Sequence, residues 1–204
     1  MHGRYAWLAD SPALIATGLD HLARLLAPRP PPCVWAPPDR GSELLADAAA
    51  RRLGLPRAPW PKIGAPAPGL VVVYDLATLA AADARRLVDR RVDQVLFAHA
   101  TPWTVDAPIA ADVTTLLYQA LVPPWGPAPW VDPATGEVAT TPADPRSDAA
   151  IAATLAVAPP LPPDAQAPAD EAGLAALAAE VWPLRPGPRG RQWAGGPVPS
   201  SRFR

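Results

Sequence analysis

The stretch that most limits what this chain can fold into is residues 69–76, Gly-Leu-Val-Val-Val-Tyr-Asp-Leu. Three successive β-branched valines settle easily into a pleated strand and crowd the preceding turn of a helix. No polar residue breaks the run before Tyr74 and Asp75, the pattern of a strand buried on both faces in a parallel sheet. Ligands of open α/β sheets bind outside the carboxyl ends of the strands. A central strand here therefore delivers the carboxylate of Asp75 to the edge where chemistry is expected.

The surrounding pattern fits such a sheet. Ser11-Pro12 reads as N-cap and first turn of a helix, with Leu14, Ile15, Leu19, Leu22, Leu25 and Leu26 on one face, ending near Ala27. Residues 33–36 read as a short first strand, and 42–53 as a helix stopped by Gly54 in a left-handed conformation and by Pro56. Prolines around residues 60–63 allow an edge strand but not a central one. After the valine strand, Thr78 is placed to cap a helix running to about Arg91, and residues 94–98 form the next strand. Strand, helix, strand in about thirty residues is a βαβ unit, which implies parallel pairing. Residues 109–121 carry a helical spacing, 130–138 a hairpin turning at Gly136, 147–157 a short helix, and 170–181 an amphipathic helix with Leu174, Leu177 and Val181 on one side.

The fold class expected is thus α/β: a mainly parallel sheet flanked by helices, with a β-hairpin addition and a Pro-rich helical C-terminal extension. The corresponding units are a core over 1–126, the hairpin and short helix over 127–158 packed on it, and linker, helix and basic tail over 159–204.

Composition narrows the function classes. The 31 prolines are about three times the ordinary share and cluster in the connections, giving rigid loops; part of the alanine and proline excess is a bacterial-type compositional habit. A net charge of -1 provides no global field for nucleic acid or anionic membrane. The lone Cys33 excludes an internal disulfide. Residues 1–10 show no signal-peptide core, and no apolar run reaches membrane-spanning length, so a soluble cytoplasmic protein is expected. His2, His21 and His99 lack metal-ligand spacing, so neither metal nor cofactor is expected. The tail over 185–204 holds Arg185, Arg189, Arg191, Arg202 and Arg204 and no acid, a docking segment for a protein partner, with nucleic acid not expected.

The strand ends bring together Asp39, Arg40 and Gly41, then Tyr74 and Asp75 with Thr78 following, then His99, Thr101 and Trp103. A cation, a flexible backbone at a helix start and a carboxylate suit a small anionic or nucleotide-like ligand. Each has a plainer reading: Arg40 paired with Glu43 or Asp39, Gly41 serving the turn, Asp75 capping the next helix. His99, with Asp106 and Asp112 nearby in sequence, is the candidate general base, against a structural histidine hydrogen-bonded at a strand end. Cys33 lies at the wrong end of its strand to act as a nucleophile with it. Trp60, Trp103, Trp125, Trp130 and Trp182 each adjoin a proline, either packing loops onto the core or forming an aromatic floor.

From about residue 27 to 100, the strand, Pro38-Asp39-Arg40-Gly41, helix and Leu53-Gly54-Leu55-Pro56, followed by the valine strand, resemble the first half of a type I phosphoribosyltransferase. The resemblance implies a pyrophosphate held by the loop amides and Arg40, and ribose hydroxyls held by an acidic pair. Tyr74 stands at the first acid and Asp75 at the second. Where that family has a threonine- and glycine-rich turn for the 5-phosphate, this chain has Leu76-Ala77-Thr78-Leu79-Ala80-Ala81, with no glycine. Only about residues 62–68 are available for the family's mobile hairpin. The resemblance therefore implies a domain without transferase activity that binds a ligand or a protein partner. The alternatives are an active enzyme on a nucleotide or sugar phosphate using Arg40, Asp75 and His99, and an adaptor working through Trp/Pro-rich loops and the tail.

Overall fold

The computed structural model describes residues 4–62, 67–88, 90, 93–104, 107, 109–162 and 167–184. The strands are β1 (Arg4–Ala9), β2 (Val34–Trp35), β3 (Gly69–Asp75), β4 (Gln94–Pro102), β5 (Val113–Val122), β6 (Ala128–Val131) and β7 (Val138–Thr141). The helices are α1 (Pro12–Leu26), α2 (Arg40–Leu53), α3 (Ala81–Val88), α4 (Asp148–Val157) and α5 (Ala167–Leu184). Five strands form one parallel sheet in the order β1-β5-β4-β3-β2, and β6 and β7 form a separate antiparallel hairpin. The α/β class with a hairpin addition is thus the observed one.

The valine run does what its composition requires. From Gly69 to Tyr74 every residue of β3 is buried. Leu70, Val72 and Tyr74 join Val95 and Phe97 of β4 under α1, α2 and α4, while Val71 and Val73 face α3 and the segment holding Ala107 and Ile109. The start and stop signals also hold. Leu14 N donates to Ser11 Oγ at the head of α1, and Gly54 ends α2 at φ 65°. Ser147 caps α4, and Gly136 turns the hairpin at φ 75°.

Between β2 and β3 the chain solves a problem of handedness. Parallel crossovers are almost always right-handed, so steps in one direction across the sheet keep their connections on one face. The steps β2 to β3 and β3 to β4 run the same way, yet α2 and α3 lie on opposite faces. The conflict disappears because the chain leaving α2 first pairs outside β2. Val34 N donates to the Pro56 carbonyl, and Ala58 N to the Val34 carbonyl, with Arg57 bridged in parallel to Val34. It then returns past the α3 face, where Trp60 packs, before entering β3. The edge contact expected around Trp60 therefore sits at Arg57; Ile63 lies outside the described residues.

Four further expectations change. The helix read over residues 109–121 is not formed; 113–122 are strand β5, held between β4 and β1. Their helical spacing was coincidental: Val113, Thr114 and Thr115 are β-branched, and ladder bonds on both sides outweigh a spacing signal. Residues 4–9, given no element, form β1, so the chain's first strand is not 33–36, and β2 is a two-residue strand near the opposite edge. Thr78 does not cap the helix after β3. It ends a 3-10 turn, Leu76–Thr78, and α3 starts only at Ala81. In α5 the buried position is Ala178, and Leu177 is half exposed. No helix among the described residues is long and apolar enough to cross a membrane.

Candidate functional site

The carboxyl ends of β1, β2 and β3 each lead to an aspartate: Asp10, Asp39 and Asp75. Asp39 is the N-cap of α2, its Oδ1 accepting from Ser42 N at 2.9 Å. Ser42 Oγ in turn accepts from Tyr74 N at 3.1 Å, tying the head of α2 to the end of β3. Gly41 allows a close approach there: a Cβ at that position would lie 3.2 Å from the Tyr74 side chain, which would have to give by a few tenths of an ångström. Asp75 Oδ1 accepts from Tyr118 Oη at 2.6 Å and from Ala77 N at 2.9 Å. Thr78 Oγ1 donates to the Asp75 carbonyl.

Burial raises the Asp75 carboxyl above its ordinary value. The Tyr118 and Ala77 hydrogen bonds oppose that shift, and the negative charge of Asp39 adds to it. Two aspartates therefore sense one another here. Arg40, the cation expected at this point, turns outward, its Nε and Nη2 on Asp148 Oδ1 at 3.0 and 2.8 Å. That pair is about half exposed and joins α2 to α4. Of the expected site residues, Asp39, Gly41, Asp75 and Thr78 do come together; Arg40 does not join them.

His99 is not at a strand end. β4 runs on through Ala100 and Thr101 to Pro102, so His99 sits mid-strand, fully buried. Its ring stacks beside Tyr74, with centroids 5.7 Å apart. Nε2 lies 3.1 Å from Asp10 Oδ2, and the same oxygen accepts from Tyr74 Oη at 2.8 Å. Asp10 Oδ1 takes the Ser11 amide at 2.7 Å. A carboxylate only accepts, so Nε2 carries the imidazole proton. Nδ1 is buried with no hydrogen-bond partner, facing α1 where Gly18 lets the helix approach. Burial and the adjacent Asp10 push the Tyr74 phenol far above its usual range, fixing it as a donor. Asp106 lies outside the described residues. Asp112 is committed elsewhere, its Oδ2 accepting from Leu96 N and lying 3.4 Å from Arg90 Nε.

Asp10 is the residue that sequence reasoning missed. The signal was present: Tyr5-Ala6-Trp7-Leu8-Ala9-Asp10 before a Ser-Pro helix start repeats the apolar-run-then-acid arrangement of residues 69–75. A cleft of about 480 Å³ opens beside it at the carboxyl end of β1 and β5. Its walls include Ala9, Pro12, Val122, Pro123, Pro124 and Pro142, with Asp144 at one side. The Asp10 side chain is fully buried behind this wall. Asp144, pulled down to about 2 by Arg146, is already paired. The other depression, of about 450 Å³, lies by the tail of α2 between Asp47, Arg51, Gly54 and Arg57, away from the strand ends.

Among the described residues no group of three or more His, Cys, Asp or Glu side chains is arranged to hold a metal ion. Cys33 Sγ contacts the Pro68 carbonyl at 3.6 Å, and burial raises its thiol, the state of an inert cysteine. The tryptophans divide. Trp125 is buried against Tyr74, and Trp60 donates to Asp83 beneath Arg86. Trp7 and Trp130 remain about half exposed. These features define a parallel α/β domain with Asp10, Asp39 and Asp75 at the carboxyl edge of its sheet. Comparison with protein-family models, with curated proteins and with solved structures finds no match.

Proposed function

We propose that the chain is a phosphoribosyltransferase-like domain without transferase activity that works by binding, with a protein partner favoured over a small anionic ligand. One observation carries this reading: Asp75, Arg40 and His99, the candidate catalytic side chains, each already have a partner inside the molecule. Asp75 is held by Tyr118 and Ala77, Arg40 by Asp148, and His99 is sealed behind Asp10. In the first turn of α2, where pyrophosphate would need free amides, the Ser42 amide is taken by the Asp39 cap. The neighbouring Asp39 and Asp75 carboxylates disfavour a phosphate beside them. The exposed Trp130, Val131 and Val138 of the hairpin, and the arginine-rich segment 185–204, favour the partner reading.

The test is a thermal-shift series with phosphoribosyl pyrophosphate, pyrophosphate and nucleotides. A ligand at a hundred times its Kd adds about 2.7 kcal/mol and is readily seen. No shift is expected. A shift that Arg40→Ala and Asp75→Asn abolish would instead support a small-ligand site at the strand ends, and turnover lost in His99→Ala would favour the enzyme reading. Co-purification lost on deleting residues 185–204 supports the adaptor role of the tail.

A further inference from the structure

The cleft of about 480 Å³ between the hairpin and the head of α1 has a chemistry that narrows what it can hold. Its polar side chains are Asp10, Thr141 and Asp144, and each is already engaged. Asp10 serves His99 and Tyr74, the Thr141 hydroxyl exchanges hydrogen bonds with the Ala128 backbone, and Asp144 pairs with Arg146. The remaining walls are proline, alanine, valine and glycine. A small polar ligand finds no uncommitted side chain among them. A proline-rich segment needs few, because the polyproline conformation makes no internal hydrogen bonds, keeps its backbone solvated and packs its rings on apolar and aromatic surface.

The hairpin register extends this cleft by an aromatic ring. Ala128 pairs with Thr141, and Trp130 with Ala139. Side chains alternate along a strand, so Trp130 shares the face on which Ala128 and Thr141 line the cleft. Its indole, 46% exposed, stands about 7 Å further along the same wall. Charge here is one-sided: residues 123–145 hold Asp132, Glu137 and Asp144 and no basic residue.

We propose that the occupant is the chain's own end, residues 197–204, Pro-Val-Pro-Ser-Ser-Arg-Phe-Arg. Pro197 and Pro199 pack along the proline wall toward Trp130, and Arg202 and Arg204 meet Asp132 and Glu137. Charge, attachment and reach point to this segment. Residues 185–204 carry five arginines and no acid, the complement of the acidic hairpin unit. They depart from α5, which packs on α1, and Pro12 at the head of α1 walls the cleft. Residues 185–197 span up to about 43 Å when extended, against a radius of gyration of about 17 Å for a domain of this length. Tethering supplies an effective concentration of about 1 mM, so a weak contact suffices. A protein partner for the hairpin or the tail must then displace this contact. The proposal does not depend on the phosphoribosyltransferase-like reading.

Amide hydrogen exchange on the full chain tests it. A contact with a Kd of about 0.1 mM at that effective concentration slows exchange of the covered backbone about tenfold. Two variants remove it without altering a residue of the sheet, its helices or the hairpin: Pro197→Ser with Pro199→Ser, and Arg202→Glu with Arg204→Glu. In both, the amides of β6 and β7 are expected to exchange about tenfold faster than in the wild type, while those of α2 stay unchanged. Wild-type protection is expected to be the same at every protein concentration, as a contact within one chain requires. Hairpin exchange unchanged in either variant, an acceleration shared by α2, or wild-type protection that fades on dilution overturns the proposal.

Discussion

Replacing Asp10 by alanine tests whether the buried His99–Asp10–Tyr74 cluster is a structural seal. Asp10 Oδ2 serves both His99 Nε2 and Tyr74 Oη, and both donors lie in the core. Alanine leaves the two unsatisfied at roughly 1–3 kcal/mol each, or about 2–6 kcal/mol together. Domains of this kind have only about 5–15 kcal/mol of total stability. With a urea m-value near 2 kcal/mol/M, a loss of about 4 kcal/mol moves the unfolding midpoint by about 2 M. Tyr74→Phe removes one of the donors in advance. In that background Asp10→Ala should cost about 1–3 kcal/mol less, a coupling read from the double-mutant cycle. A loss below about 1 kcal/mol for Asp10→Ala, or strictly additive single and double variants, would refute the reasoning.

Other perturbations follow from the same geometry. Arg90 is almost fully buried, its Nη groups on the Leu87 and Ala110 carbonyls and its Nε near Asp112. Burial lowers it only to about 10, so it remains charged at neutral pH; Arg90→Met should cost about 3–5 kcal/mol in urea unfolding, and a loss under 1 kcal/mol would exclude a clamp. A Cβ at Gly18 would lie 2.7 Å from Thr115 Oγ1 and 3.3 Å from His99 Nδ1. Gly18→Ala should therefore destabilise by about 1–3 kcal/mol, despite alanine's better helix propensity, and a stabilised variant would show that α1 is free to move outward. Asp75 binds its proton more tightly folded than unfolded, so its contribution to stability is lost as pH rises from about 4 through its raised value. Asp75→Asn cannot ionise and should flatten that fall in unfolding midpoints measured across mildly acidic pH; an unchanged slope would assign the fall to other groups.

Much of this fold was legible where local and tertiary preferences agree. The valine strand, the Ser11-Pro12 start and the Gly54 stop were read correctly because each is fixed by backbone chemistry at its own position. β5 was misread because its leucines and alanines fit either period; only the strands on both sides of it decide. His99 was placed at a strand end because the strand was read only over residues 94–98, whereas β4 continues to Pro102. At the candidate site, Asp39 and Asp75 were found as strand-end acids, but nothing in the sequence reveals that Arg40 prefers Asp148, more than a hundred residues away. Asp10 was missed since β1 is short and its partner strand lies far along the chain.

That separation has a consequence for how the molecule is made. Arg4 aligns with Leu117 and Ala9 with Val122, so β1 leaves the ribosome well ahead of its partner and waits until most of the sheet has been synthesised. Closing so long a loop is entropically costly and slow compared with joining β2, β3 and β4, which follow one another closely. During that interval the imidazole of His99 and the phenol of Tyr74 are open to water. Docking of β1 completes the sheet and brings the Asp10 carboxylate over both, so growth of the nascent sheet and drying of its centre end in a single late step.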